Sequence, residues 1–513
     1  MGTGCKQATQ MLARLHGAGK AAGQPSTADW IAARARHAVP VDGPRKPELL
    51  WKYEAAGMKS AEVFSAAGGD VYLGCTGVPA LKGVPDKDAF HIDMHLDGGH
   101  VGTILHLDAN GRLAGQVELP NSPDGKQWSF ISYSSLPGPA PRIIAVCVRV
   151  DQAKLHAMYQ GQSETNWSWA KQKGVYLTQL YSFDAQLHQQ WTAALPDYSP
   201  GILAAATLLA DGSALLEADQ VKTSGQDSPG GTSEFVRFDA AGRPAPRVPL
   251  PADPHNQSSF GVWFAAGRDS TYCTIFTDTL LKFGGGAKIA WQHSFGKRLL
   301  DAPLILPDGG TVVLTEDLDL TWNVMTDMDR HDTPQSTLLY GYTPDGKERW
   351  NQTVGWLRGG LAADDKSNLY YVALDDDGLR DAEHERIEDE LNNIGKSPPR
   401  PEPAHLQRHI MLHVLKEDSQ QHQVWDYART YDAVDDTPSC HDLIVDHSGT
   451  CYAQIEHGLI GVNSAGKELF ALDLTQYGPR TWSRLDQTQS GRIYLTSGDN
   501  TVIALGDKPA GAT

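Results

Sequence analysis

A turn flanked by β-forming residues recurs eight times along this 513-residue chain. Each turn is followed by an apolar run. Gly267 and Gly309 are 42 residues apart, and so are Gly449 and Gly491. This spacing is the length of one four-stranded propeller blade, about 40–45 residues. The repeats therefore predict an all-β, eight-bladed β-propeller. The eight turns lie at residues 67–70, 138–141, 210–213, 266–269, 307–310, 365–368, 447–450 and 489–492.

A second pattern follows each hairpin and completes the blade. It is a strand, a tight turn and a strand that ends near an aromatic residue, as in residues 345–350 (DGKERW) and 465–470 (AGKELF). Each blade is thus predicted to have an inner strand A, then B and C, and an outer strand D. The last repeat lacks strand D, whereas residues 49–53 resemble a strand D with no strands before it. Because an open sheet edge favours aggregation, we predict that the strand containing Trp51 completes the last blade and closes the ring.

The first 45 residues differ from the repeats and are predicted to form a helical extension. Residues 7–16 and 27–38 are compatible with helices, and Ser26 is a suitable N-cap for the second. The propeller is expected to span residues 46–506, with a tail at 507–513.

Composition restricts the classes of partner. The formal net charge of −18 disfavours a nucleic-acid phosphate backbone, and no apolar run is long enough to span a bilayer. Four of the six cysteines fall in strand B, where we expect small buried hydrophobic residues: Cys75, Cys147, Cys273 and Cys451. The segment around Cys5 matches either the cleavage end of a lipoprotein signal, with Cys5 as the lipid anchor, or an ordinary exposed cysteine.

Five long insertions follow strand B and are expected to emerge on one face of the ring. They lie at residues 76–90, 151–173, 221–232, 316–333 and 376–405, the last of them partly helical. Loops that extend from one face of a rigid scaffold commonly carry binding functions. Trp167, Trp169 and Trp322 are candidate contacts for a protein partner, because exposed aromatic residues anchor interfaces. The alternative is that each of these tryptophans folds inward between blades.

One insertion contains a candidate metal site. In an extended strand, His91, Asp93 and His95 would share one face, and imidazole and carboxylate groups together suit a divalent transition metal. A half-buried strand with one wet face explains the same alternation without a metal.

The residues that enter strand A form a second candidate site, because they surround the ring axis. At this position the chain carries cationic and aromatic residues despite its acidic composition, which suits an anionic small molecule or an acidic glycan. The alternative is that they pair with acidic neighbours such as Asp301, Asp442 and Asp486. The candidates are Lys59, Trp128, His255, Arg298, Arg358, His441, Arg480, Trp482 and Arg484.

The Gly-Lys turns followed by an aromatic residue, at 345–350 and 465–470, resemble the quinoprotein-like (PQQ-like) β-propeller repeat over about residues 46–506. This resemblance implies either a dehydrogenase that uses pyrroloquinoline quinone (PQQ) with calcium or a non-enzymatic scaffold of the bacterial envelope. The chain has no adjacent cysteine pair of the kind such dehydrogenases carry over the cofactor. The leading expectation is a non-catalytic scaffold of the periplasm or cell envelope, with a cytoplasmic location as the alternative. A PQQ-dependent-type dehydrogenase, or an enzyme or sensor for an anionic ligand, remains the alternative function.

Overall fold

Each of the eight repeats forms a small antiparallel sheet. The computed structural model describes residues 25–55, 58, 60–65, 69–77, 100–136, 141–151, 176–195, 198–199, 206–220, 233–250, 263–276, 279–284, 288–295, 297–299, 302–319, 337–354, 356–374, 407–434, 440–455, 457–478, 482–487, 491–497 and 500–507. Within these residues the sheets run in the order A, B, C and D. The eight-bladed all-β prediction is confirmed.

The strands are numbered along the chain, and those of the first four blades follow β1 (Glu48–Glu54). Blade 1 contains β2 (Ser60–Ser65), β3 (Val71–Gly77), β4 (Val101–Leu107) and β5 (Leu113–Glu118). Blade 2 contains β6 (Phe130–Leu136), β7 (Arg142–Val150), β8 (Tyr176–Phe183) and β9 (Gln189–Leu195). Blade 3 contains β10 (Tyr198–Ser199), β11 (Thr207–Leu208), β12 (Ala214–Gln220), β13 (Ser233–Phe238) and β14 (Val248–Pro249). Blade 4 contains β15 (Trp263–Ala266), β16 (Tyr272–Phe276), β17 (Thr279–Phe283) and β18 (Ile289–Ser294).

The other four blades continue the same order, and strand A is divided in two in blade 5, as it is in blade 3. Blade 5 contains β19 (Lys297–Leu299), β20 (Leu304–Ile305), β21 (Thr311–Asp319), β22 (Thr337–Tyr342) and β23 (Glu348–Val354). Blade 6 contains β24 (Trp356–Ala363), β25 (Leu369–Leu374), β26 (Gln407–Glu417) and β27 (Gln423–Val434). Blade 7 contains β28 (Cys440–Val445), β29 (Cys451–Ile455), β30 (Gly458–Val462) and β31 (Glu468–Asp473), followed by a 3₁₀ helix (Leu474–Tyr477). Blade 8 contains β32 (Trp482–Gln487), β33 (Ile493–Ser497) and β34 (Thr501–Gly506).

Blade 8 takes its outer strand from the other end of the chain. Strand β1 pairs antiparallel with β34, and Trp51 lies opposite Ala504. The predicted closure of the ring by the strand that contains Trp51 is therefore confirmed. This pairing covers the edge that β34 would otherwise present.

The A strands lie innermost and contact one another from blade to blade. Strand β32 contacts β2, β2 contacts β6, β6 contacts β11 and β11 contacts β15. On the other side of the ring, β24 contacts β28, which contacts β32. Hydrophobic clusters fill the seams between blades, as where Tyr452 of blade 7 packs with Ile493 and Leu495 of blade 8.

Four tryptophans on D strands dock on the C–D turn of the next blade. The indole nitrogen of Trp425 donates a hydrogen bond to the carbonyl oxygen of Ser464 at 3.1 Å. The ring covers Gly466, which has φ +78° and where an added Cβ would lie 2.7 Å from the Trp425 Cγ. Trp51, Trp191 and Trp291 make the same hydrogen bond to Ala109, Ala240 and Pro344, respectively. Because a left-handed φ and close contact both require glycine, these turns and tryptophans form one repeated seam motif.

One α-helix, α1 (Thr27–Arg34), lies in the described part of the N-terminal segment (residues 25–45). Ser26 caps it as predicted, in a capping box with Asp29. The helix ends at Arg34 rather than at residue 38, because the next carbonyl groups accept hydrogen bonds from the propeller and His37 adopts φ +50°.

Candidate binding faces of the ring

The two faces of the ring carry different connections between strands, and the direction of strand A distinguishes one face from the other. Each strand A starts at the end where strand B finishes, so the B–C connections and the entry into strand A share one face. We call this the insertion face, and the opposite end, where the A–B turns lie, the turn face.

All five predicted insertions lie in B–C connections of the structure. Strands B and C of blades 1, 2, 3, 5 and 6 are joined by residues 78–100, 151–175, 221–232, 320–336 and 375–406. The B–C connections of blades 4, 7 and 8 are only two or three residues long, as at residues 277–278. The insertions therefore begin and end on one face of the ring, and they belong to five of its blades. Trp167, Trp169 and Trp322 lie outside the described residues, as do the metal-site candidates His91, Asp93 and His95.

Nine residues were predicted to surround the ring axis, and the backbone of five of them lies in the innermost strands. Arg298, Arg358, His441, Trp482 and Arg484 all lie in an A strand, as the repeat predicts. Lys59, His255 and Arg480 lie outside the described residues.

Trp128 is placed differently from the other candidates. Its side chain is 1% exposed and its indole nitrogen donates to the carbonyl oxygen of Pro120 at 2.7 Å. Its ring packs edge-on against Tyr181, with 6.3 Å between centroids. Trp128 precedes strand β6 and belongs to the core of blade 2, so it is unavailable to a ligand at the axis. Its position just before β6 agrees with the predicted entry into strand A, but its side chain is buried within the blade.

Strand A carries a β-bulge in three consecutive blades, and each bulge contains a candidate residue. The extra residue in blade 7 is His441, and the extra residue in blade 8 is Arg484. In blade 6 the bulge spans residues 358–360, three residues opposite one, so it includes Arg358. Bulges bend a strand and redirect its side chains, and they are enriched beside functional sites. Neither the bulges nor their coincidence with cationic residues could be read from the repeat alone.

Blade 5 departs from this arrangement. Its register shift leaves Arg298 opposite three residues of β21, so the extra residues lie on strand B rather than on strand A. The cationic bulges are thus confined to blades 6, 7 and 8.

The turn face is covered by the N-terminal segment. Ile31 joins a buried cluster with Leu136 of blade 2 and Leu208 of blade 3, and α1 contacts β15 of blade 4. The carbonyl oxygens of Ala35, Arg36 and His37 then accept hydrogen bonds from one residue each of blades 5, 6 and 7. A segment that reaches the inner strands of six consecutive blades must lie over the ring axis at this end.

A cleft of about 980 Å³ lies between this segment and blades 4 to 7. Its charged side chains are largely paired: Arg268 with Asp29 at 2.7 Å, and Arg36 with Asp365. His447 approaches Asp365 with its Nδ1 atom at 3.2 Å. Arg36 is 6% exposed, and burial lowers its pKa while the carboxylate of Asp365 opposes that shift. Sequence reasoning missed these residues, because Arg36 and Asp365 are far apart in the chain and match no local motif.

The described cysteines provide no reactive thiol. Cys75, Cys147, Cys273, Cys440 and Cys451 are all buried and unpaired. Burial raises the pKa of the Cys75 thiol to about 12, and a thiol with a raised pKa is a poor nucleophile. The expectation of small buried hydrophobic residues in strand B is met at all four positions.

Two features are absent from the described residues. These residues contain no group of three or more histidine, cysteine or acidic side chains able to hold a metal ion. They also contain no helix long and apolar enough to cross a membrane.

Several solved structures align with this chain at low sequence identity. A catalytically inactive virginiamycin B lyase from Staphylococcus aureus with quinupristin aligns over 90% of this chain and 100% of its own, with a TM-score of 0.41 and 8% identity. BamB from Moraxella catarrhalis aligns over 65% of this chain and 90% of its own, with a TM-score of 0.33 and 12% identity. The WD40 propeller domain of Doa1 aligns over 66% and 88%, with a TM-score of 0.34 and 12% identity. No family model and no curated protein matches the sequence. Similarity at this level concerns the propeller architecture and not activity or partner.

Proposed function

We propose that this protein is a non-catalytic binding propeller that presents its insertion face to a protein partner. The observation that carries the proposal is the asymmetry of the ring. Five of eight B–C connections are long and share one face, whereas the turn face is occupied by the chain's own N-terminal segment. The insertion face thus joins five long connections to a rigid scaffold, which is the usual construction of a binding surface.

The insertions also carry the residue types that suit an interface. Trp167 and Trp169 lie in the blade 2 insertion and Trp322 in that of blade 5. Tryptophan is enriched among the few residues that dominate binding energy. We expect these residues, rather than the exposed apolar side chains of outer strands such as Leu113 or Val424, to contact the partner.

Trimming the insertions tests this proposal. Each insertion is replaced by a short turn like the one that joins strands B and C in blade 4, and tagged variants are recovered from cells of the source organism. We expect the full chain to retain a discrete partner that the trimmed variants lose while their melting temperature is preserved. The same partner must then bind the purified full chain and not the trimmed one. Equal binding by both would exclude the insertion face.

The repeat resemblance supports a location for this function. Gly-Lys turns followed by an aromatic residue, at 345–350 and 465–470, are the feature by which the sequence resembles quinoprotein-like repeats. We therefore place the protein in the periplasm or cell envelope, where such scaffolds occur. Cell fractionation with an antibody against the native chain tests this, and recovery in the cytoplasmic fraction would contradict it.

The β-bulges favour a second candidate, a site for an anionic small molecule or acidic glycan at the axis on the insertion face. Arg358, His441 and Arg484 occupy bulges in adjacent blades, so three basic residues lie near the starts of three inner strands. Arginine binds carboxylate, phosphate and sulfate in a bidentate manner. PQQ, which carries carboxylates, is the ligand that the resemblance suggests, together with calcium.

Thermal denaturation tests this second candidate with defined probes: PQQ with calcium, citrate, and inorganic sulfate. A ligand at a hundredfold its dissociation constant adds about 2.7 kcal/mol of stability. We expect a rise in Tm that is lost in the double variant Arg358→Gln, Arg484→Gln and retained in Arg243→Gln, whose side chain is 79% exposed on a distant C–D turn. No rise with any probe at saturation would exclude an anion site of this kind.

A further inference from the structure

The N-terminal segment binds the turn face mainly through its backbone. The amide nitrogens of Ile305, Ala363 and Val445 donate to three consecutive carbonyl oxygens of the segment at 2.9, 2.9 and 3.1 Å. These donors are the last residues, or nearly so, of strand A in blades 5, 6 and 7. The turn that ends α1, residues 35–37, thus bridges three blades through three consecutive main-chain carbonyls.

The segment continues along blade 7 with further main-chain bonds. The amide of Val39 donates to the carbonyl of Val445 at 2.9 Å, and the amide of His447 donates to Val41 at 3.2 Å. Ala38 and Val445 form a parallel bridge. The segment therefore pairs with the end of β28 in blade 7 through both main-chain donors and main-chain acceptors.

A buried carboxylate secures the end of the segment. Asp446 has a fully buried side chain and accepts hydrogen bonds from the Gly43 amide and the Tyr452 hydroxyl, each at 2.9 Å. Arg45 lies 3.5 Å from the same carboxylate. Loss of any of these donors would leave a buried charge less well satisfied, which is costly.

Blade 8 completes the contact. An added Cβ at Gly491 would lie 2.5 Å from the carbonyl oxygen of Asp42, so glycine is required for the segment to pass. The amides of Arg45 and Lys46 then donate to Asp507, immediately before β1 begins. The segment thus reaches every blade from 2 to 8.

Specific side chains hold the segment at the axis as well. Arg36 is buried, donates to the carbonyl of Ala32 at 2.8 Å and pairs with Asp365 of blade 6. Arg34 donates to the carbonyl of Ser135 in blade 2 at 2.9 Å. The two arginines therefore attach the segment to opposite sides of the ring.

From these contacts we infer that residues 26–45 form an intramolecular clasp, which docks as a peptide ligand on the A-strand ends of blades 5 to 7. The clasp closes the axis at the turn face and ties blades 5 to 8 together beside the seam where the ring closes. The docking surface fits a helix-terminating turn with a small residue followed by arginine, as in Ala35-Arg36. This role does not depend on the partner proposed for the insertion face.

Hydrogen exchange tests the clasp. A chain beginning at Lys46 keeps β1 and the complete ring but lacks the clasp. We expect exchange at the amides of Ile305, Ala363 and Val445 to accelerate by at least about tenfold, because their acceptors are gone. Amides within the β25–β26 ladder of blade 6 should stay protected. A synthetic peptide of residues 25–45, added in excess, should restore protection.

A point variant covers the case in which the shortened chain does not fold. Arg36→Ala removes the pair with Asp365 while leaving the ring sequence intact, and it should accelerate exchange at Ala363. Arg243→Ala is the matched control, since Arg243 lies on an exposed turn of blade 3. Unchanged protection of Ala363 in Arg36→Ala, or of all three amides in the shortened chain, would overturn the proposal.

Discussion

At the residue scale, a seam tryptophan makes two kinds of contact: its ring packs in the core, and its indole nitrogen donates a hydrogen bond to the next blade. Trp425 is 8% exposed, donates to Ser464 and packs edge-on against Tyr370, with 5.9 Å between ring centroids. It therefore contributes both a large buried surface and a hydrogen bond that fixes the neighbouring blade.

We predict that Trp425→Ala lowers the free energy of unfolding by about 3 kcal/mol or more, as for other large-to-small changes in a core. Val424→Ala is the control, because Val424 is adjacent in the strand and 51% exposed; its effect should stay within about 0.5 kcal/mol. Denaturant titration of both variants measures the difference. Equal effects would mean that the docked ring does not stabilise the seam.

Two buried tyrosines allow a matched comparison. Tyr452 and Tyr272 are both 0% exposed, but the Tyr452 hydroxyl donates to Asp446, whereas that of Tyr272 has no hydrogen-bond partner in the described part of the chain. Tyr272 stacks on Phe283 at 4.6 Å, a contact that phenylalanine would keep.

We predict that Tyr452→Phe costs about 1.5–3 kcal/mol, because it removes a hydrogen bond to a buried charge. Tyr272→Phe should be neutral or slightly stabilising, since it removes a buried hydroxyl that has no partner. Thermal and denaturant unfolding of the two variants at pH 7 measure this. A larger loss for Tyr272→Phe would show that its hydroxyl is satisfied in solution.

The sequence predicted the residues that occupy the same position in several blades. It did not predict features that occur in one blade only. The docked aromatics were identifiable because the same turn and spacing recur. Trp128 was placed correctly at the entry into its strand, but the repeat does not encode its burial against Tyr181. The bulge residues were assigned to the correct strand, but a repeat period carries no information about an extra residue in one strand.

At the element scale, the outer strand of blade 8 is the element on which ring integrity depends most. Strand β1 is separated from its partner β34 by most of the chain, yet six residue pairs join them. Without β1, strand β34 would expose an apolar edge.

We predict that a chain beginning at Met58, which lacks β1, aggregates or loses its cooperative melting transition. A chain beginning at Lys46 should remain monodisperse and keep its β-sheet circular dichroism, with a lower Tm. Size-exclusion chromatography with light scattering distinguishes the two. A stable, monodisperse chain without β1 would contradict the role assigned to this strand.

The N-terminal segment shows what a sequence cannot reveal about an element. Ser26, as an N-cap candidate, predicted the start of α1, because capping is a local property. The early end of the helix follows from hydrogen bonds to residues about 270–410 positions away, such as Ile305 and Val445. No local signal encodes such partners.

At the scale of the whole molecule, buried tyrosines determine how stability responds to alkali. Burial raises the pKa values of Tyr72 and Tyr181 to about 12 each, against about 10 in an unfolded chain. Above pH 10 the unfolded chain loses these protons before the folded chain does, so unfolding becomes more favourable as the pH rises.

We therefore predict a Tm that is nearly constant from about pH 7 to 9.5 and falls progressively from about pH 10 to 12. Thermal denaturation across this range measures it. A flat profile up to pH 12 would show that these phenols titrate in the folded ring as they do in water.

The ring was predictable in architecture and far less so in function. Repeat length, closure and the side on which insertions emerge all follow from patterns that recur through the sequence. The occupied turn face could not be predicted, because it depends on one segment that occurs once. Because the N-terminal segment covers the turn face, we propose the insertion face as the one that binds a partner.

Site-specific photo-crosslinking tests that central claim most directly. A photoreactive amino acid is placed at Trp167 or Trp322 on the insertion face, and at Leu113 and Ile289 as controls, since both are exposed on outer strands. The account predicts one discrete crosslinked protein from the insertion-face positions and none from the controls. Crosslinks of the same protein from the outer strands, with none from the insertions, would contradict it.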